Sequence, residues 1–263
     1  MGTSLRIAFA FLTRLPVPLP QELPAEKLAG ASSFFPLVGW FYGGAMGLLA
    51  WAILAAGSTS TVAAVLAVAF SAWLSRGLHL DGVADLCDGL GGSHEPVRRL
   101  AIMKDSACGP FGVVGLVLLL LGKVAVLAAL FDNGLVTADG GWLALAPAGF
   151  AGLLAGPVGG RFAMAALACG SRYPRESGTG HAFVGRVTGR HLAMGGLFLL
   201  PLLAVDFLPA LAGIGAAQLP ALWLRAKCNR ALGGITGDVL GASCELGEAA
   251  GWLAAALCLA WTA

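Results

Sequence analysis

Asp81, Asp85 and Asp88 stand at positions i, i+4 and i+7 of the run Leu80-Asp-Gly-Val-Ala-Asp-Leu-Cys-Asp-Gly-Leu90. On a helix turning about 100° per residue all three fall inside one wedge. Like charges at this spacing destabilise a helix unless a cation lies between them. Oxygen-only clusters suit hard cations, and Mg²⁺ takes one or two carboxylates and fills its other positions with water and substrate phosphate oxygens. The chemistry to expect is a divalent-metal site acting on a phosphorylated substrate. A solvated helix face is the plainer alternative, but such faces usually mix signs, whereas here Gly82, Gly89, Gly91 and Gly92 flank the acids and admit a close ligand.

A second acidic cluster follows much later. Asp238 and Glu245 are seven apart, the same helical interval as Asp81 and Asp88, and they come after Arg225, Lys227, Asn229, Arg230 and the Gly233-Gly234 pair. Thr236 stands where a helix N-cap would be, which offers Asp238 a purely structural role in the first turn. Read together, the two clusters are two halves of one site. Candidate anion-binding groups lie between them. Arg98, Arg99 and Lys104-Asp105-Ser106 precede the glycine-rich Gly109-Pro-Phe-Gly112, and guanidinium and ammonium groups suit phosphate. The loop from Gly170 to Arg190 holds Arg172, Arg175, a Ser-Gly-Thr-Gly run and His181, and reads as a flexible anion-gripping lid. His79 is either a partner of the acids or a packing residue.

The elements that must carry these residues belong to a membrane. Charged residues are 11% of the chain and apolar ones 58%, with a mean hydropathy of +0.83, which excludes soluble classes. No Asp, Glu, Lys or Arg occurs between Lys27 and Arg76, room for two spans with a turn at 57–61. The expected fold is an all-α polytopic helical bundle, a single domain over 1–263. It has about seven spans: Phe34–Ala56, Val62–His79, Phe111–Phe131, Trp142–Cys169, His191–Val205, Leu208–Leu224 and Ala249–Ala263. Residues 1–27 read as an interfacial segment whose helix ends at the proline run, since Arg14 interrupts any signal-like apolar core.

Lysine and arginine alternate between connections. Arg6, Arg14 and Lys27 precede the first span, and the loops at 76–110, 170–190 and 225–248 are basic. The connections at 57–61, 132–141 and 206–207 lack basic residues, and Asp132, Asp139 and Asp206 lie in them. The positive-inside rule then puts the N-terminus and every motif-bearing loop in the cytoplasm. Lys123 in mid-span costs about 2.5–3.5 kcal/mol at the bilayer centre unless it faces a partner or a wet cavity, whereas Arg161, nearer the cytoplasmic end of its span, either snorkels or lines a polar cavity beneath the aspartates. The six cysteines form no Cys-x-x-Cys pair and indicate neither a disulfide framework nor a zinc site.

Five segments in order carry a resemblance: Phe11-Leu-Thr-Arg-Leu-Pro-Val-Pro18, Phe35-Pro-Leu-Val-Gly39, Leu80 to Leu90, Ile102-Met-Lys-Asp-Ser106 with Gly109-Pro-Phe-Gly112, and Leu232-Gly-Gly-Ile-Thr-Gly-Asp-Val-Leu-Gly-Ala242. Together they resemble the cobalamin synthase, or adenosylcobinamide-GDP ribazoletransferase, family. The resemblance implies a Mg²⁺-dependent inner-membrane enzyme that joins adenosylcobinamide-GDP to α-ribazole or its 5′-phosphate and releases GMP. It implies Asp81, Asp85, Asp88 and Asp238 as metal ligands, with Asp238 alternatively the base that accepts the ribazole hydroxyl proton. Lys104, Asp105, Arg161, Arg172, Asn229, Thr236 and Glu245 are then expected around the substrate. The partners are these small molecules and the bilayer, with no nucleic acid and with room for a homo-oligomer or for association with other corrinoid-assembly enzymes. An aspartate-rich phosphotransferase of the CDP-alcohol type, a membrane prenyltransferase and a transporter are the competing readings. In the first, the residue after Ala84 should be Arg, and here it is Asp85.

Overall fold

The uncharged stretch after Lys27 folds into a helical hairpin, α3 (Phe35–Ala55) and α4 (Ser60–Leu74), after the short α1 (Gly2–Leu12) and α2 (Ala25–Ala31). Thr59 caps α4, its hydroxyl accepting the Val62 amide at 3.3 Å. The computed structural model describes residues 2–138 and 142–262. Asp139 and Ala263, which the sequence reading placed in an outer connection and at the end of the last span, lie outside them.

Where a straight span to His79 is expected, the chain turns sharply. Arg76 and Gly77 both adopt left-handed backbone angles, φ 59° and 70°, and α5 (Leu78–Gly92) leaves α4 at 91°. A non-glycine residue in this region costs energy and needs an anchor. The Arg76 guanidinium supplies one, donating to the carbonyls of Ala10 and Phe11 at 3.1 and 3.3 Å. After α6 (Pro96–Ile102) come α7 (Pro110–Gly134), a hairpin of β1 (Leu135–Ala138) and β2 (Trp142–Leu145), and α8 (Pro147–Ala168). The span expected from Trp142 thus begins five residues later, after a strand. The one expected over His191–Val205 is broken into α9 (Gly189–Gly196) and α10 (Leu200–Val205). Last come α11 (Phe207–Leu232) and α12 (Gly237–Thr262).

Among the described residues four helices are long and apolar enough to cross a membrane, or five if the bent pair counts as one, rather than seven. α12 is as long as α11, but Asp238, Glu245 and Glu248 occupy its first half. The bundle is an integral membrane scaffold whose outward faces carry Leu118, Leu121, Leu219 and Leu222, each more than 60% exposed and suited to lipid. Its axis is α8, whose apolar stretch is 83% buried against 22% for α7. α8 packs on α3, α11 and α12. Pro157 inside α8 cannot donate to the Leu153 carbonyl. The Trp252 indole of α12 does so instead, at 2.8 Å. That contact requires glycine at 156, where a β-carbon would stand 2.5 Å from the indole nitrogen.

The three basic loops gather at one end of this scaffold. Arg99 donates to the Ala231 carbonyl at 3.1 Å, and the Ile235 amide donates to the Arg172 carbonyl at 2.9 Å. Across the N-terminal ends of α7 and α12 lies α5, outside the spans proper.

Candidate active site

The acids of α5 and of α12 meet because Gly82 has no side chain. A β-carbon there would lie 2.7 Å from the Asp238 carbonyl oxygen and 2.9 Å from its Cα, so backbone touches backbone at this crossing. On α5, Asp81 is exposed and Asp85 half-buried. Burial pushes the Asp85 carboxyl up to about 7, and the charges of Asp81 and Asp238 push in the same direction. This is a site with more negative charge than its surroundings neutralise.

Asp88 has a structural task beyond the one the spacing suggests. It is 7% exposed, and its two carboxylate oxygens accept the backbone amides of Gly109 and Gly112 at 2.7 and 2.8 Å. It therefore anchors the start of α7 to α5, a strong pair of charge-assisted bonds. Both glycines are required, since a β-carbon at either would lie within 2.5 Å of an Asp88 oxygen. Asp238 is also engaged: its Oδ2 accepts from Arg175 at 2.9 Å and from the Thr236 hydroxyl at 3.2 Å, while Thr236 caps α12 through the Val239 amide. Among the described residues no three His, Cys, Asp or Glu side chains stand close enough to form a metal cage by themselves. The donor chemistry still fits Mg²⁺, which needs only one or two carboxylates, and among the described residues Asp81 and Asp85 are the pair of this cluster with no hydrogen bond or ion pair of their own.

Arg175, which sequence reasoning passed over in favour of Arg172, is the arginine of that loop that reaches the acids. Its Nη1 holds Asp238, yet its Nε and Nη2 are buried with no hydrogen-bond partner. A guanidinium charge beside an acidic cleft is suited to developing phosphoryl charge. The signal was present in the loop composition, but nothing local ranks one of its two arginines above the other. Arg172 has an exposed side chain and contributes its carbonyl to the turn before α12. The loop is more than a lid: Phe183, Val184 and Val187 are buried in the core.

Other expected site residues separate. Lys104, Asp105 and Asn229 are exposed, and Asp105 accepts the Ala107 amide at 3.0 Å in a local turn. Arg161 does not reach the acids. It is 1% exposed, pairs with Glu248 at 2.5 Å and stacks 3.8 Å above the Tyr42 ring. Lys123 bonds to Glu245 and, at 2.7 Å, to Glu248. Two cations and two anions thus balance beneath the site and tie α7, α8 and α12 together, which explains how the bilayer tolerates them. Glu245 belongs to this network rather than to a substrate.

Two cavities open beside Asp81. One, of ≈500 Å³, is a groove with Arg76, Cys108 and Leu116 in its walls. The other, of ≈170 Å³, runs between Asp81 and Asp238 into the protein past His79 and Phe183. A larger cavity of ≈720 Å³ near Glu26, Lys27, Arg186 and Arg190 is lined by none of Asp81, Asp85, Asp88 and Asp238.

Acids on two helices thus cross within backbone contact at one end of a membrane bundle, beside the guanidinium of Arg175. The profile of the cobalamin-5-phosphate synthase family matches residues 4–256, and the chain belongs to that family. It is 40% identical to the adenosylcobinamide-GDP ribazoletransferase of Syntrophobacter fumaroxidans, over 98% of both chains. It is 40% identical to that of Ectopseudomonas mendocina, over 97% of this chain and 98% of the relative. With the Citrobacter koseri enzyme the identity is 37%, over 91% and 93%. No solved structure matches the chain. The chain is thus a transferase of cobalamin synthesis, and the CDP-alcohol, prenyltransferase and transporter readings fall away.

Proposed function

We propose that the chain joins adenosylcobinamide-GDP to α-ribazole, or to its 5′-phosphate, and releases GMP at the cytoplasmic face of the inner membrane, with Mg²⁺ held by Asp81 and Asp85. The observation that carries this reading is the crossing at Gly82, which sets the free acids of α5 against the Asp238–Arg175 pair. In the reaction a ribazole hydroxyl oxygen bonds to the phosphorus that bears the cobinamide. The bond from that phosphorus to the GMP oxygen breaks, and GMP leaves with the electron pair. Bound Mg²⁺ would neutralise charge on the phosphoryl oxygens.

The residues of the chain supply alignment and proton handling. Arg175 holds Asp238 in place through its Nη1 and sets a guanidinium charge beside the acids where phosphoryl charge develops. Asp238, with Oδ2 fixed by Arg175 and Thr236, accepts the hydroxyl proton on its other oxygen. Asp88 keeps the glycine turn before α7 against α5, so the two acids ahead of it hold their direction. The basic loops gathered at this end support a cytoplasmic orientation.

The test is GMP release by purified protein in detergent or lipid, given adenosylcobinamide-GDP and α-ribazole with and without Mg²⁺. Release that requires all three is expected. Turnover without Mg²⁺, or undiminished turnover in Asp85→Asn, would overturn the mechanism.

A further inference from the structure

Away from the acids, the last turns of α11 pass abruptly from apolar to basic. Phe207 to Leu224 contain no charged residue, and at about 1.5 Å per residue they cover about 27 Å, close to the roughly 30 Å of a hydrocarbon core. Arg225, Lys227 and Arg230 follow at once, so the change from acyl chain to headgroup falls at Trp223. That indole is 57% exposed, in the position tryptophan favours at a membrane surface. Trp223, Lys227 and Arg230 stand at i, i+4 and i+7 on one face, and the small Ala226 between them leaves a hollow of ≈290 Å³. Arg99 of α6 forms the opposite wall. It is pinned there, donating through Nε to the Ser93 carbonyl at 2.7 Å and through Nη1 to the Ala231 carbonyl at 3.1 Å, which leaves Nη2 open. Arg230 is held likewise, its Nε donating to the Ala226 carbonyl at 3.2 Å. Three cations thus face one hollow, no carboxylate lines it, and among the described residues none of the three forms an ion pair. Like charges gathered in this way repel unless an anion joins them.

We propose that this hollow seats the headgroup of an anionic phospholipid, of the phosphatidylglycerol or cardiolipin class, with its acyl chains lying along α11. Continuity with the bilayer selects this occupant over a free phosphate or nucleotide. Leu208, Leu211, Leu219 and Leu222 are exposed down the same side of α11 at helical intervals, an apolar track that runs up to Trp223 and the cations above it. A soluble anion has no use for such a track, whereas a phospholipid needs both parts. Basic hollows between helices at a membrane surface are suited to anionic headgroups, and the indole N–H at this level suits a glycerol or phosphate oxygen. The ≈720 Å³ cavity differs in having Glu26 among its cations. By joining Lys227 and Arg230 of α11 to Arg99 of α6, the lipid braces α6, which packs through Arg99 and Met103 on Gly89 of the acid-bearing α5. Only the membrane scaffold is needed for this seat, whatever the reaction at the acids.

The experiment reconstitutes the full chain in vesicles of phosphatidylcholine and phosphatidylglycerol, one lipid or the other carrying bromine near the start of its acyl chains. Bromine quenches a nearby indole, and the Trp223 signal is the difference between a protein and its Trp223→Phe counterpart. Each cation beside an anionic headgroup adds about fivefold in affinity, so Trp223 is expected to select phosphatidylglycerol over phosphatidylcholine by at least about tenfold. Lys227→Gln/Arg230→Gln is expected to lower that ratio at least about fivefold. Quenching by brominated phosphatidylcholine, retained in that variant, separates lost selectivity from lost folding. Arg186→Gln/Arg190→Gln removes the same charge from the wall of the ≈720 Å³ cavity and is expected to keep the ratio within about twofold. Equal quenching of wild type by the two lipids would overturn the assignment, even where the variants fail to insert. So would an unchanged ratio in Lys227→Gln/Arg230→Gln, or an equal loss in Arg186→Gln/Arg190→Gln. Release of the brominated phosphatidylglycerol by millimolar inorganic phosphate would give the hollow to a free anion instead.

Discussion

Gly82→Ala is the sharpest probe of the site. The added methyl would sit 2.7 Å from the Asp238 carbonyl oxygen and 2.9 Å from its Cα, both backbone atoms with no rotamer in which to retreat. Carbon–oxygen contacts of this kind settle near ~3.4 Å, so α5 and α12 must part by about 0.7 Å. Overpacking of this size costs roughly 1–3 kcal/mol, which a bundle this size survives. A misplacement approaching 1 Å at reacting groups can cost about a hundredfold in rate. The expected result is folded protein, with a melting temperature lowered by a few degrees and GMP release down by one to two orders of magnitude. Gly122→Ala is the control. Nothing lies within 4 Å of a β-carbon at that mid-α7 position, so it should leave both readings near wild type. Gly82→Ala protein with wild-type turnover would refute the idea that the crossing sets the distance between the two acidic clusters.

Arg175→Lys keeps a charge beside Asp238 but removes the planar guanidinium that holds it in place, and should lower kcat/KM at least about tenfold with little change in melting temperature. Lys123→Met leaves two buried glutamates facing Arg161 alone and should destabilise by about 3–5 kcal/mol, read as thermal denaturation in detergent; adding Glu245→Gln should recover much of the loss. Asp85, pushed up to about 7, gives a pH signature in metal-free protein. The folded chain holds a proton there that the unfolded chain loses near pH 4, so stability is greatest at acid pH and falls as pH rises through about 7. Asp85→Asn should flatten that slope, and Mg²⁺ at pH 8 should restore the midpoint in wild type only.

Composition alone identified the class of fold, because a membrane bundle must show long uncharged stretches whatever its packing. The pairing of Asp81 and Asp85 was legible too, since it is set by helical periodicity within four residues. Asp88 has the same periodicity, but its role depends on where Gly109 and Gly112 return, which no local pattern encodes. Arg161 looked like a candidate ligand-binding group, and Lys123 was left in need of a partner, because Glu245 and Glu248 lie scores of residues away in sequence. The seven expected spans outnumber the four or five helices of spanning length and hydropathy among the described residues for a related reason. Hydropathy sums over a window and does not register Arg76 and Gly77 turning the chain through 91°, nor the break between α9 and α10. Those same departures from a row of straight spans are what place α5 across the helix ends where chemistry can occur.

The quartet of buried charges also has a consequence for biogenesis. Lys123 enters the membrane with α7, but the glutamate that neutralises it follows 122 residues later. At ordinary translation speeds of roughly 5–20 residues per second, the ammonium waits on the order of ten seconds for its counter-ion. Until α12 arrives, α7 and α8 each carry an unpaired positive charge that costs about 2.5–3.5 kcal/mol at the bilayer centre. α12 then supplies the carboxylates that neutralise both charges and close the bundle around them.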